Sequence, residues 1–143
     1  MTDVINLYNY AETQGIGVYW FTMVQTQSLS YRDSDGDCYI AMDPRHLYTL
    51  ADEKTRLAHE IGHCVTGSFY NCCATCDIRQ KHENRADKWA IKEMVPFEEL
   101  EHAVADGHTE LWDLADYFSV TEDFMKKAIC WYKYGNLAVD AYM

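Results

Sequence analysis

Two histidines, His59 and His63, enclose a glutamate in the run His59-Glu60-Ile61-Gly62-His63. On a helix, residues four apart share one face, so both imidazoles can reach one metal ion. Zinc takes neutral imidazole nitrogen at about 2.0–2.1 Å and, with three protein ligands, keeps its fourth position for water. Glu60 lies one residue, about 100°, round from His59. It flanks the metal without binding it and can take a proton from water. This spacing on a helix is what metal-assisted hydrolysis requires. Further on stands Glu83-Asn84-Arg85-Ala86-Asp87, whose two acids are again four apart. Glu83 can supply the third ligand. Asp87, one turn later, can accept a hydrogen bond from the outer nitrogen of a ligand histidine, which fixes its tautomer and ring orientation. Metal-assisted hydrolysis also calls for a transition-state donor. Tyr70, Tyr31, His102 and His108 are the candidates, and residue type alone does not choose among them.

These side chains need two helices to carry them. Thr49 reads as the N-cap of the first, with Asp52 completing a capping-box-like pair and Gly67 ending it. Leu50, Leu57, Ile61 and Val65 form its apolar stripe. The second helix runs from about residue 80 to 95, and Pro96 stops it. The small Ala86 and Ala90 would let the two helices pack closely. Ahead of them the spacing predicts a helix over 3–14 and strands over 18–23, 28–32 and 38–42. The first strand does not alternate, which suggests burial on both faces. Asp33-Ser34-Asp35-Gly36-Asp37 is a hairpin turn between the other two. It mimics the start of a calcium loop, but the sixth and twelfth positions are Cys38 and Pro44 where Gly and Glu are needed. Helices over 97–105, 109–117 and 121–134 complete an α+β outline. We expect one domain over 1–143, with the sheet and both metal-site helices in 1–96 and helices in 97–143.

The runs Leu57-Ala58-His59-Glu60-Ile61-Gly62-His63 and Glu83-Asn84-Arg85-Ala86-Asp87-Lys88-Trp89-Ala90, then Val95-Pro96, resemble the ImmA/IrrE family of zinc metallopeptidases. That family typically shows H-E-[LI]-G-H, then E-x-x-A-[ND]-x-[FW]-A, then a helix-ending proline. The stretch from Cys38 to Arg45 is similar to its strand followed by Asp-Pro-Arg. The resemblance covers about residues 18–100. It implies a minimal zincin-like fold of the gluzincin type, with a small three-stranded sheet packed on the active-site helix and a helical C-terminal part. It implies one Zn2+ per chain on His59, His63 and Glu83, with Glu60 as the catalytic glutamate. The Glu-x-x-x-Asp spacing is also similar to that of thermolysin, whose Asp orients a ligand histidine. Members of the family are intracellular, and some cleave a helix-turn-helix transcriptional repressor. We expect none of the appended regulatory domains that larger members carry.

Bulk properties agree with a folded chain that has a core. Of its 143 residues, 48% are apolar and 14% aromatic, enough for a core. A net charge of -11 argues against a nucleic-acid ligand, which needs clustered Lys and Arg. The first ten residues lack the basic and apolar regions of a signal peptide, and no apolar run approaches the roughly 20 residues that span a bilayer. The expected location is cytoplasmic, with reduced thiols. Cys72, Cys73 and Cys76 include a C-x-x-C, read as a reduced loop in preference to a second metal site or redox pair. Residues 110–134 suggest a helix-turn-helix, but five acids against three bases favour a helical hairpin over the core. The expected activity is zinc-dependent endopeptidase action on a specific intracellular protein. The alternative is a zinc-binding regulator that sequesters a repressor without cutting it.

Overall fold

The computed structural model describes residues 3–71 and 73–142, with the side chains of the last two helical residues left out. It is α+β, with a small mixed three-stranded sheet and helices on either side of it in the chain. Helix α1 (Val4–Thr13) starts where the Asp3 carboxylate accepts the Asn6 amide at 2.8 Å, and it buries Leu7 and Ala11. Strands β1 (Gly17–Trp20), β2 (Ser28–Arg32) and β3 (Cys38–Met42) follow. The sheet order is β1-β3-β2, with β1 parallel and β2 antiparallel to the central β3. The β2–β3 hairpin turns where predicted, through Gly36 at φ +87°, a backbone only glycine adopts without strain.

Register sets the two faces of the sheet. Val18, Ile40 and Ser30 stand side by side on one, and Tyr19, Ala41 and Leu29 on the other. Ile40 and Met42 are fully buried in the same cluster as Leu57 and Ile61 of the following helix. The opposite face is open. Burial of β1 on both faces is corrected: Tyr19, on the open face, is 53% exposed, and Trp20, although it shares the face of Ile40 and Met42, is 46% exposed. The strand is an edge strand, paired on one side only.

A 3-10 turn over Pro44–His46 leads into α2 (Leu50–Thr66). The capping box forms as expected: the Asp52 amide donates to the Thr49 hydroxyl at 3.1 Å and the Thr49 amide to the Asp52 carboxylate at 3.2 Å. Gly67 ends the helix at φ +65°. Leu50 is 70% exposed, so the buried apolar stripe begins at Leu57 instead. Helix α3 (Cys76–Met94) starts about a turn earlier than expected, because the Thr75 hydroxyl accepts the Ile78 amide. Cys76 is thus helical, and Cys72 lies outside the described residues. Helices α4 (Phe97–Ala105), α5 (Leu111–Phe118), α6 (Glu122–Tyr134) and the short α7 (Val139–Tyr142) complete the chain. The start of α5 falls two residues later than expected, and α7 was not anticipated.

One apolar cluster runs through both halves, including Leu7, Met42, Ile61, Ile91, Phe118 and Met125. The C-terminal half is also tied to α2 by polar contacts. The buried Lys54 ammonium donates to the Phe118 carbonyl at the end of α5 (2.7 Å), and the Thr121 amide donates to the Thr55 hydroxyl. Among the described residues, no helix is long and apolar enough to cross a membrane.

Candidate metal centre

Helices α2 and α3 cross at Gly62 and Ala86. A Cβ added at Gly62 would lie 2.6 Å from the Ala86 carbonyl oxygen, closer than real contacts allow. Gly62 stands between His59 and His63, and Ala86 between Glu83 and Asp87. This close approach of the two backbones therefore falls among the four polar side chains, which meet there.

His59, His63 and Glu83 converge as a group able to hold a metal ion. The two Nε2 atoms are 3.2 Å apart, and Glu83 Oε2 lies 2.8 Å from that of His59 and 3.3 Å from that of His63. A tetrahedral zinc with bonds of about 2.05 Å has ligand-to-ligand edges of about 3.3 Å. The triangle in the protein is close to that size on two edges and contracted on the third. The outer nitrogens are both committed. His63 Nδ1 donates to the Ser68 carbonyl at 2.6 Å, and His59 Nδ1 donates to Asp87 Oδ1 at 2.7 Å. A carbonyl and a carboxylate can only accept, so each ring keeps a proton on Nδ1 whether or not Nε2 is also protonated, and Nε2 is the nitrogen turned inward. The donor set thus fits a metal ion of zinc's type: two imidazoles with fixed tautomers and one carboxylate.

Electrostatics follow from the same contacts. Burial pulls the His59 imidazole down, but its bonds to Asp87 and Glu83 outweigh this and raise it to about 10. His63 is also raised, with burial opposing and Glu83 and the Ser68 carbonyl prevailing. Burial pushes the Glu83 carboxyl up, yet hydrogen bonds from His59, His63 and Tyr70 hold it well below the usual carboxylate range. Asp87 is lowered against its own burial by His59 and Lys127. Two carboxylates, Glu83 and Asp87, thus bracket the two imidazoles, an arrangement that suits a cation.

Glu60 is buried beside this triangle. Its Oε2 accepts the Ser28 hydroxyl at 2.6 Å, which leaves Oε1 uncommitted to that bond. Ser28 opens β2, far from Glu60 in sequence, and no local pattern pointed to it. Tyr70 is the one predicted donor brought to the site. Its hydroxyl donates to Glu83 Oε1 at 2.7 Å, and that bond, with burial, pushes the phenol up to about 12. The other three lie elsewhere. Tyr31 is exposed on the open face of the sheet opposite Tyr39. His102 is in the last turn of α4. His108 pairs with Asp113 at 2.8 Å and packs at a tilt against Tyr117.

Two cavities meet at the triangle. One, of about 730 Å³, lies between α2, α3 and the start of α6, and is lined by Arg56, Asp87, Phe124 and Lys127 among others. The second, of about 330 Å³, runs along β2 past Leu29, Ser30, Glu60, Phe69 and Tyr70. Ser28, Arg56, His59 and Glu83 border both. Arg56 is fixed there by donating to the Gln27 side-chain oxygen. Away from the site, burial pushes the Cys64 thiol up, aided by a hydrogen bond with Cys38. Cys73 and Cys76 are exposed, and among the described residues His59, His63 and Glu83 are the only group of three or more ligating side chains that could hold a metal ion. No protein-family model matches this chain, and no curated protein matches it in sequence.

Proposed function

We propose that the protein is a zinc-dependent endopeptidase, of the zincin-like gluzincin type and of the ImmA/IrrE family that its motifs resemble. The observation that carries the reading is the convergence of His59, His63 and Glu83 from two helices, with the carboxylate of Glu60 buried beside them. The tautomers set by Asp87 and Ser68 support it. A zinc ion bound there supplies Lewis acidity, polarising the scissile carbonyl and making water a nucleophile near neutral pH.

The remaining steps belong to the chain's own residues. Glu60 accepts the proton of the attacking water and delivers it to the leaving amine. Ser28 holds one oxygen of Glu60, so the other is the one available for this transfer. Tyr70 donates a hydrogen bond to the oxyanion once its hydroxyl leaves Glu83. The substrate adds as a strand to β2, an edge strand of the sheet whose Leu29 and Ser30 border the same cavity as Glu60. Following the resemblance, the substrate is a cytoplasmic helix-turn-helix repressor. A chain of net charge -11 attracts such a basic partner electrostatically.

The test is to incubate the zinc-loaded protein with helix-turn-helix repressors encoded beside its gene and to look for defined fragments. Glu60→Gln should keep one metal per chain and lose at least 100-fold in cleavage rate. Retained cleavage in that variant would sink the mechanism. Stable complexes with no fragments from the wild-type protein would favour sequestration over hydrolysis.

A further inference from the structure

The metal-site residues of α2 and α3 do not stand alone, because a third helix reaches them. Asp87 uses both carboxylate oxygens. Oδ1 takes the Nδ1 proton of His59 at 2.7 Å, and Oδ2 accepts the ammonium of Lys127 at 3.1 Å. Lys127 lies on α6, forty residues away in sequence, and α6 packs against α3. Asp123, one turn earlier on α6, is at the spacing for an ordinary surface pair. The ion pair that Lys127 makes is instead with the buried Asp87. The Asp87 side chain is 8% exposed, against 42% for Lys127, so the lysine reaches inward from the rim of the larger cavity.

We propose that Lys127 is a positioning residue of the metal centre, holding the Asp87 carboxylate in the one orientation that offers Oδ1 to His59. The inference rests on the reading of His59, His63 and Glu83 as metal ligands. A carboxylate on two single bonds can rotate, and either oxygen can meet either partner. With Oδ2 fixed from α6, Oδ1 is left for the imidazole, and the ring stays in the tautomer that turns Nε2 to the metal. The docking of the C-terminal helices is in this way linked to how well the site binds its ion.

The sign of the effect separates this role from simple charge. A lysine near a cation site repels the cation, so removing it for its charge alone should tighten metal binding. Positioning predicts the opposite. Partners of ligand histidines typically contribute 10–100-fold in metal affinity. Lys127 acts one bond further out, so we expect a loss of about tenfold.

The experiment titrates the intact chain with Co2+, following its visible d–d bands, and with Zn2+ by competition. Lys127→Met and Lys127→Gln should each weaken binding about tenfold and change the shape of the Co2+ bands, while Lys127→Arg should restore both. In an Asp87→Asn background, Lys127→Met should have no further effect. Unchanged or tighter binding in Lys127→Met and Lys127→Gln overturns the proposal. So does a loss that Lys127→Arg fails to rescue, or one that adds fully to Asp87→Asn. If the unaltered chain binds neither ion, the metal-site reading itself fails, and the proposal with it.

Discussion

His59 carries the sharpest electrostatic consequence at the scale of single residues. Its imidazole is raised to about 10 by Asp87 and Glu83 in the absence of metal, and a metal ion needs the Nε2 lone pair that this proton occupies. Binding must therefore expel it. A group whose folded pKa is raised stabilises the fold fully below its ordinary value of about 6.5, and that contribution is lost as pH rises through about 10. Between those limits, zinc should release about one proton per ion from His59, and apparent affinity should rise up to about tenfold per pH unit. Calorimetry at pH 7.5 in buffers of differing ionisation enthalpy measures the number directly. A value of zero would mean that His59 is already neutral there. Much of the site was legible at this scale, and for a physical reason: His59 with His63, and Glu83 with Asp87, are pairs that local helical geometry alone places on one face. Ser28 and Lys127 come from a strand and a distant helix to touch Glu60 and Asp87, and nothing in their own surroundings marks them.

Among the elements, the crossing of α2 and α3 decides whether the four side chains meet at all. Gly62 lies in a helix interior, where alanine is ordinarily better by about 1 kcal/mol. Here the added methyl would meet the Ala86 backbone at 2.6 Å, and backbone cannot rotate away. Gly62→Ala should thus destabilise by about 1–3 kcal/mol, the usual range for overpacking, and weaken metal binding by forcing the helices apart. Thermal unfolding in chelator, together with a metal titration, checks both. A stabilised variant would show that the crossing is loose. Element boundaries were readable wherever the signal is local. The Thr49 and Asp52 capping box, Gly67 and Pro96 each act within a turn of their own position. The early start of α3 at Cys76 depended on Thr75, one hydroxyl in a cysteine-rich stretch that reads as loop. The exposure of β1 was illegible because strand order is not local: parallel pairing with β3 puts Tyr19 and Trp20 at an edge, and a run of aromatics reads the same at an edge or in a centre.

At the level of the whole molecule, His59, His63 and Glu83 lie on two helices that share one apolar cluster with α1, the sheet and the C-terminal helices. Lys54 bonds the α5 terminus to α2, and Lys127 bonds α6 to α3. Energy gained at the metal centre should therefore be felt by the entire chain, because no part of this core can open without disturbing the helices that hold the ligands. Free zinc at about 1,000 times its dissociation constant stabilises a folded state by about 4 kcal/mol. In a domain of this size that is on the order of 10 °C in melting temperature. The melt should remain one transition by far-ultraviolet circular dichroism and by tryptophan fluorescence, shifting together on both probes, and excess chelator should reverse the shift. Trp112 lies on α5 and Trp131 on α6, with Trp20 in the sheet and Trp89 on α3, so fluorescence samples both halves. A second transition that ignores zinc would mean that the C-terminal helices melt on their own. In that case the Lys54 and Lys127 contacts would be too weak to join them to the site.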